Sequence, residues 1–62
     1  MTLKEFNVIA LSNYFVGVNK DFKCIDEFYN TDKANLEYYG NCLVSSVHVL
    51  NENMMAVNIE LD

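Results

Sequence analysis

From Cys42 to Leu61, apolar side chains recur at every second position on both sides of Asn51-Glu52-Asn53. Period-two alternation sends successive side chains to opposite faces of a strand, so this stretch predicts two strands and a tight turn. Parity selects the register. Met55, Val57, Ile59 and Leu61 share one face of the last strand, and Met54, Ala56, Asn58 and Glu60 share the other. A two-residue loop mixes the faces. A three-residue loop opposes Val49 to Met55, Val47 to Val57, Ser45 to Ile59 and Leu43 to Leu61, giving one consistent core face. The outer face then pairs Leu50 with Met54, His48 with Ala56, Ser46 with Asn58 and Val44 with Glu60. Asn53 is the expected left-handed residue of that loop.

Upstream, Thr2-Leu3-Lys4-Glu5 fits a capping box and opens a helix that ends at Ser12-Asn13. Leu3, Phe6 and Ile9/Ala10 lie on one helical face. Tyr14 to Val18 is aromatic and β-branched, a strand in which Gly17 marks a bulge or a close backbone approach. Phe22 to Tyr29 fits either a strand or a helical stripe. The strand is preferred, because a three-residue Asn19-Lys20-Asp21 loop pairs Val18 with Phe22 and Val16 with Cys24. Asn30-Thr31-Asp32 then caps a short helix to Tyr39, and Gly40 occupies the usual left-handed C′ position. The expected fold is α+β: a small single domain over residues 1–62, ordered helix–hairpin–helix–hairpin, with the C-terminal antiparallel β-hairpin central to the core.

Composition narrows the function. Net charge is −5, Arg is absent and the four Lys are scattered. Nucleic-acid binding needs a clustered basic footprint, so direct nucleic-acid binding is not expected, and anionic membrane surfaces are disfavoured for the same reason. No apolar run approaches the ~18 residues of a membrane span, and the N-terminus lacks a signal-peptide pattern. The expectation is a cytoplasmic protein with Cys24 and Cys42 reduced.

The residues for chemistry are few. His48 is the only histidine, and Ser46 lies roughly 6.5–7 Å from it along a strand, beyond nucleophile–base contact. Neither C-x-x-C nor H-x-x-x-H spacing occurs, and Gly17 and Gly40 make no phosphate loop. The expectation is a non-enzyme with no metal and no cofactor. More informative is an apolar excess. Tyr38-Tyr39 and Phe28-Tyr29 are adjacent pairs that cannot both enter one core. Leu50, Met54 and Ala56 surround His48 on the outer hairpin face. Burial on folding is worth on the order of 90 kcal/mol, which ordering 62 residues at ~1.5 kcal/mol each offsets almost fully. A homodimer or a partner is therefore expected. The predicted partner-binding set is Tyr38, Tyr39, His48, Leu50, Met54 and Ala56, with Asp32 and Glu37 steering encounter electrostatically.

The opening Thr2-Leu3-Lys4-Glu5-Phe6 and the central Leu36-Glu37-Tyr38-Tyr39-Gly40 also carry a resemblance. So do the closing segments Val44 to Asn53 and Ala56 to Leu61. In layout the chain resembles short acidic accessory proteins of phages and mobile elements of low-GC Gram-positive bacteria. The resemblance implies an accessory protein that binds and inhibits a bacterial host or defence protein, nucleic-acid-handling complexes among the candidates. Two other expectations stand beside it: a structural or regulatory subunit of a phage assembly, and a sponge for a small nucleotide or other small ligand at a dimer interface.

Overall fold

The computed structural model describes residues 1–61. The elements run α1 (Leu3–Ile9), β1 (Asn13–Lys20), β2 (Lys23–Tyr29), α2 (Lys33–Tyr38), β3 (Leu43–Asn51) and β4 (Met54–Glu60). The strands form one four-stranded sheet in the order β2-β1-β4-β3. Neighbours in sequence pair antiparallel, whereas β1 and β4 pair parallel along their length, from Asn13 opposite Met54 to Asn19 opposite Glu60.

That parallel seam corrects the expected architecture. The two hairpins are not separate units and the C-terminal hairpin is not central: β1 and β4 are, and β3 is an edge. Tyr14, Val16 and Val18 of β1 interleave with Val57 and Ile59 of β4, all at most 1% exposed. Leu3 and Phe6 of α1, Phe28 of β2, and Leu36 and Tyr39 from the α2 segment complete one cluster on the same side. The molecule has two layers, with both helices on one face of the sheet.

The capping box at Thr2 is present. Thr2 N–H donates to Glu5 Oε1 at 2.8 Å, and Glu5 N–H donates to Thr2 Oγ1 at 3.2 Å. The backbone bond from Thr2 holds the Glu5 carboxyl below its usual pKa, helped by the Thr2 hydroxyl. A depressed carboxyl contributes stability above its unfolded value of ~4.3 and loses it as pH falls through the folded value. Thr2→Ala is expected to lower stability by ~1 kcal/mol in urea unfolding, and to flatten the loss of α1 helicity on acidification.

Both hairpin turns differ from expectation. The first is the two-residue Asp21-Phe22, with φ of 52° and 66°. Positive φ at both central residues is the geometry whose twist suits an antiparallel pair, and it holds the Phe22 side chain out in solvent. Val18 therefore faces Asp26 and Val16 faces Phe28, with a bulge after Val18. In the second, Asn51 Oδ1 accepts from Asn53 N–H at 2.8 Å. This side-chain turn brings Asn51 opposite Met54 and extrudes Leu50 as a bulge. Asn53 is not left-handed, and neither is Gly40. Gly40 instead packs under α1: its carbonyl accepts from Lys4 N–H at 2.9 Å, and a Cβ there would lie 3.1 Å from the Leu36 carbonyl.

Between the bulges the parity register holds, with Val49 opposite Met55, His48 opposite Ala56, Val47 opposite Val57 and Ser46 opposite Asn58. Toward the start of β3 it shifts, placing Val44 opposite Ile59 and Leu43 opposite Glu60. Ser45 Oγ donates to the Asn58 carbonyl at 3.1 Å and anchors that bulge. The expected core positions Val47 and Val49 are 42% and 75% exposed, because the two short helices cover β1 and β4 and stop short of this edge, whereas Leu43, 61% exposed, is turned by the bulge to the side of Glu60.

Candidate binding face

Among the described residues, no helix lies on the second face of the sheet. Alternation along β1 and β4 turns Tyr14, Val16, Val57 and Ile59 inward, so Phe15 and Ala56 point outward. Register extends that row across all four strands as Tyr29, Phe15, Ala56 and His48. Phe15 and Tyr29 meet edge to face with centroids 6.3 Å apart. Tyr29 is 61% exposed, and Phe15 and Ala56 are half-buried. A depression of 260 Å³ lies at Phe15, Glu27, Phe28 and Tyr29.

One row further along lie Glu27, Gly17, Asn58 and Ser46. Here Asn58 is the hub. Its Oδ1 accepts from Asn19 Nδ2 at 3.2 Å and its Nδ2 donates to Ser46 Oγ at 3.0 Å. A Cβ on Gly17 would come within 2.9 Å of that Oδ1, which is the close approach the glycine permits. Ser46 is thus engaged by an amide rather than by His48, and the two form no nucleophile–base pair.

The sequence-predicted site divides between the layers. His48, Met54 and Ala56 lie on the open face, with Leu50 at its rim, extruded and 55% exposed. Tyr38 and Tyr39 lie on the helix layer and are not brought together with them. Tyr39 is only 9% exposed; its ring stacks on Phe28 at 5.7 Å, and its hydroxyl donates to Asp26 Oδ2 at 3.4 Å. Loss of hydration, reinforced by the Asp26 charge, raises its phenol pKa. Tyr39 is a core residue, whereas Tyr38 is 79% exposed.

Asp32 caps α2, accepting from Asn35 N–H at 3.2 Å and from Asn35 Nδ2 at 2.9 Å. Glu37 lies on the same helix, so neither borders the open face. Phe15, Tyr29 and Glu27 lie on this open face and are absent from the sequence-predicted set. Their signal is the alternation of Tyr14, Val16 and Val18, which forces Phe15 outward, and the Phe28-Tyr29 adjacency, which forces Tyr29 out once Phe28 is in.

A groove of 560 Å³ between the helices, lined by Lys4, Asn7, Val8, Lys33 and Glu37 among others, has no convergent catalytic set. Among the described residues, no group of three or more His, Cys, Asp or Glu side chains could hold a metal ion. No described helix is long and apolar enough to cross a membrane. No protein-family model matches the chain, and neither does any curated protein or solved structure.

Proposed function

We propose that the protein is a small non-catalytic binding protein that occupies the surface of a bacterial host or defence protein and so inhibits it. The observation that supports this reading is the uncovered sheet face, where Tyr29, Phe15, Ala56, Met54 and His48 form a contiguous, partly apolar surface that no element of the fold covers. Aromatic side chains and Met are the residue types enriched at interface centres, and small monomers rarely leave such patches without use. The likeness in layout to mobile-element accessory proteins agrees with action by occupancy.

The net charge of −5 favours encounter with a basic surface, such as that of a nucleic-acid-handling protein. Glu27 and Glu60 point to the open face and steer the encounter there, which Asp32 and Glu37 on the helix layer do not border. Immobilised protein exposed to a Gram-positive lysate is expected to retain a defined bacterial protein, identified by mass spectrometry. Tyr29→Ala should weaken its retention by about tenfold or more. Joint neutralisation of Glu27 and Glu60 should slow association and flatten its salt dependence. Retention of nothing, or retention indifferent to Tyr29, removes this reading.

A further inference from the structure

The two edges of the sheet differ. The β2 edge carries Lys23, Asp26 and Glu27, charges of the kind that discourage strand addition. The β3 edge, Leu-Val-Ser-Ser-Val-His-Val-Leu-Asn, has no Lys, Arg, Asp, Glu or Pro over nine residues, and Leu43, Val47, Val49 and Leu50 are all more than 40% exposed. In a chain of net charge −5, this neutral edge is where a second copy can approach without setting carboxylates against each other.

Part of the edge is already taken. The chain start lies along it as a short antiparallel bridge, Thr2 opposite Leu43, with Leu3 N–H donating to the Cys42 carbonyl at 2.9 Å and Val44 N–H donating to the Met1 carbonyl at 2.8 Å. The open stretch is therefore residues 45–51, and its midpoint is His48.

We propose that β3 pairs antiparallel with β3 of a second copy about a two-fold axis at His48, joining two sheets into one of eight strands. Symmetric antiparallel pairing about a residue keeps each sheet face continuous. Centring on Val47 would drive Leu50 and Asn51 of the second copy into the segment held by Met1 and Thr2. Centring on His48 clears it. It sets Val47 opposite Val49 of the second copy, Ser46 opposite Leu50 and Ser45 opposite Asn51. Ser45 is a bulge and Ser46 faces the extruded Leu50, so the regular ladder is confined to Val47–Val49. No carboxylate falls within the paired stretch. The pairing leaves the open face of each copy accessible and does not rest on the binding function proposed above.

The test combines mass and cross-linking. By sedimentation at about 100 µM, where a Kd near 10 µM already gives mostly dimer, the chain should run at twice 7.1 kDa. Val49→Lys, at a 75% exposed position, should return it to monomer with unchanged circular dichroism. In a Cys24→Ser background, His48→Cys should form a covalent dimer on mild oxidation, because directly opposed Cβ atoms lie within disulfide reach. Val47→Cys should give about tenfold less, since its counterpart is Val49, two residues along the strand. A monomeric chain, a dimer that survives Val49→Lys, or cross-linking as efficient through Val47→Cys as through His48→Cys overturns the proposal.

Discussion

Tyr14→Ala is expected to leave the chain largely unfolded at 37 °C. Among the described residues Tyr14 is the largest fully buried side chain, 1% exposed near the start of the interior strand β1. Its ring meets Phe6 edge to face at 5.2 Å, tying β1 to α1, and its hydroxyl donates to Asn7 Oδ1 on the same helix. Truncating an aromatic in such a site costs ~3–5 kcal/mol. A domain of 62 residues has roughly 3–9 kcal/mol in total, so this single loss consumes most or all of it. Tyr14→Phe separates the ring from the hydroxyl and should cost only ~0.5–1.5 kcal/mol. Burial raises the Tyr14 phenol pKa. A group raised on folding contributes stability that is complete below its unfolded value of ~10 and is lost as pH rises through the folded value. Tyr14→Phe should therefore also reduce alkaline unfolding, leaving the contribution of Tyr39. Urea titrations at neutral and alkaline pH, followed by near-ultraviolet circular dichroism, measure both effects. A Tyr14→Ala chain that keeps a cooperative transition with a midpoint near that of the parent contradicts this account of the core.

The position of Tyr14 also shows where sequence patterning stops. Local chemistry was legible: Thr2 with Glu5 caps α1, Asp32 caps α2, and the parity of Met55 to Ile59 set the middle of the β3–β4 ladder. The parallel β1–β4 seam was not legible, because it joins segments some forty residues apart and leaves no turn chemistry between them. Placing Tyr14 to Val18 as one hairpin arm was consistent with its alternation, yet alternation does not specify which strand lies on the other side. Side-chain turns decided the rest. Asn51 supplies its own hydrogen bond and shortens the second turn by one residue, while two consecutive positive φ values at Asp21 and Phe22 shift the first. Each of these displaced an expected pair that parity alone had made self-consistent. The same limit applies to the candidate face. Tyr38 and Tyr39 were grouped with His48 and Ala56 by their apolar excess, whereas the sheet separates helix-side from open-side residues, and only knowledge of the layer order distinguishes them.

Ala56→Glu is expected to abolish partner binding while leaving the fold intact. Ala56 stands between Phe15 and His48 in the row that crosses the open face, and its side chain points away from the helices. A half-exposed surface substitution at this position should change stability by less than about 1 kcal/mol. In the complex the new carboxylate would lie in the apolar row between Phe15 and His48, stripped of water, while the basic groups of the proposed partner face Glu27 and Glu60 outside that row. An unpaired buried charge of this kind costs ~2–5 kcal/mol, a loss of about 30-fold to several thousandfold in affinity, expressed mainly as faster dissociation. Leu50→Ala, at the rim, should cost far less, because rim residues chiefly exclude water. Tyr38→Ala should change affinity by less than about twofold, because Tyr38 belongs to the helix layer and interface losses concentrate at central anchors. Surface-immobilised binding kinetics on the captured bacterial protein rank the three variants. If Tyr38→Ala proves the most damaging and Ala56→Glu is tolerated, the partner docks on the helices and the open sheet face has no part in inhibition.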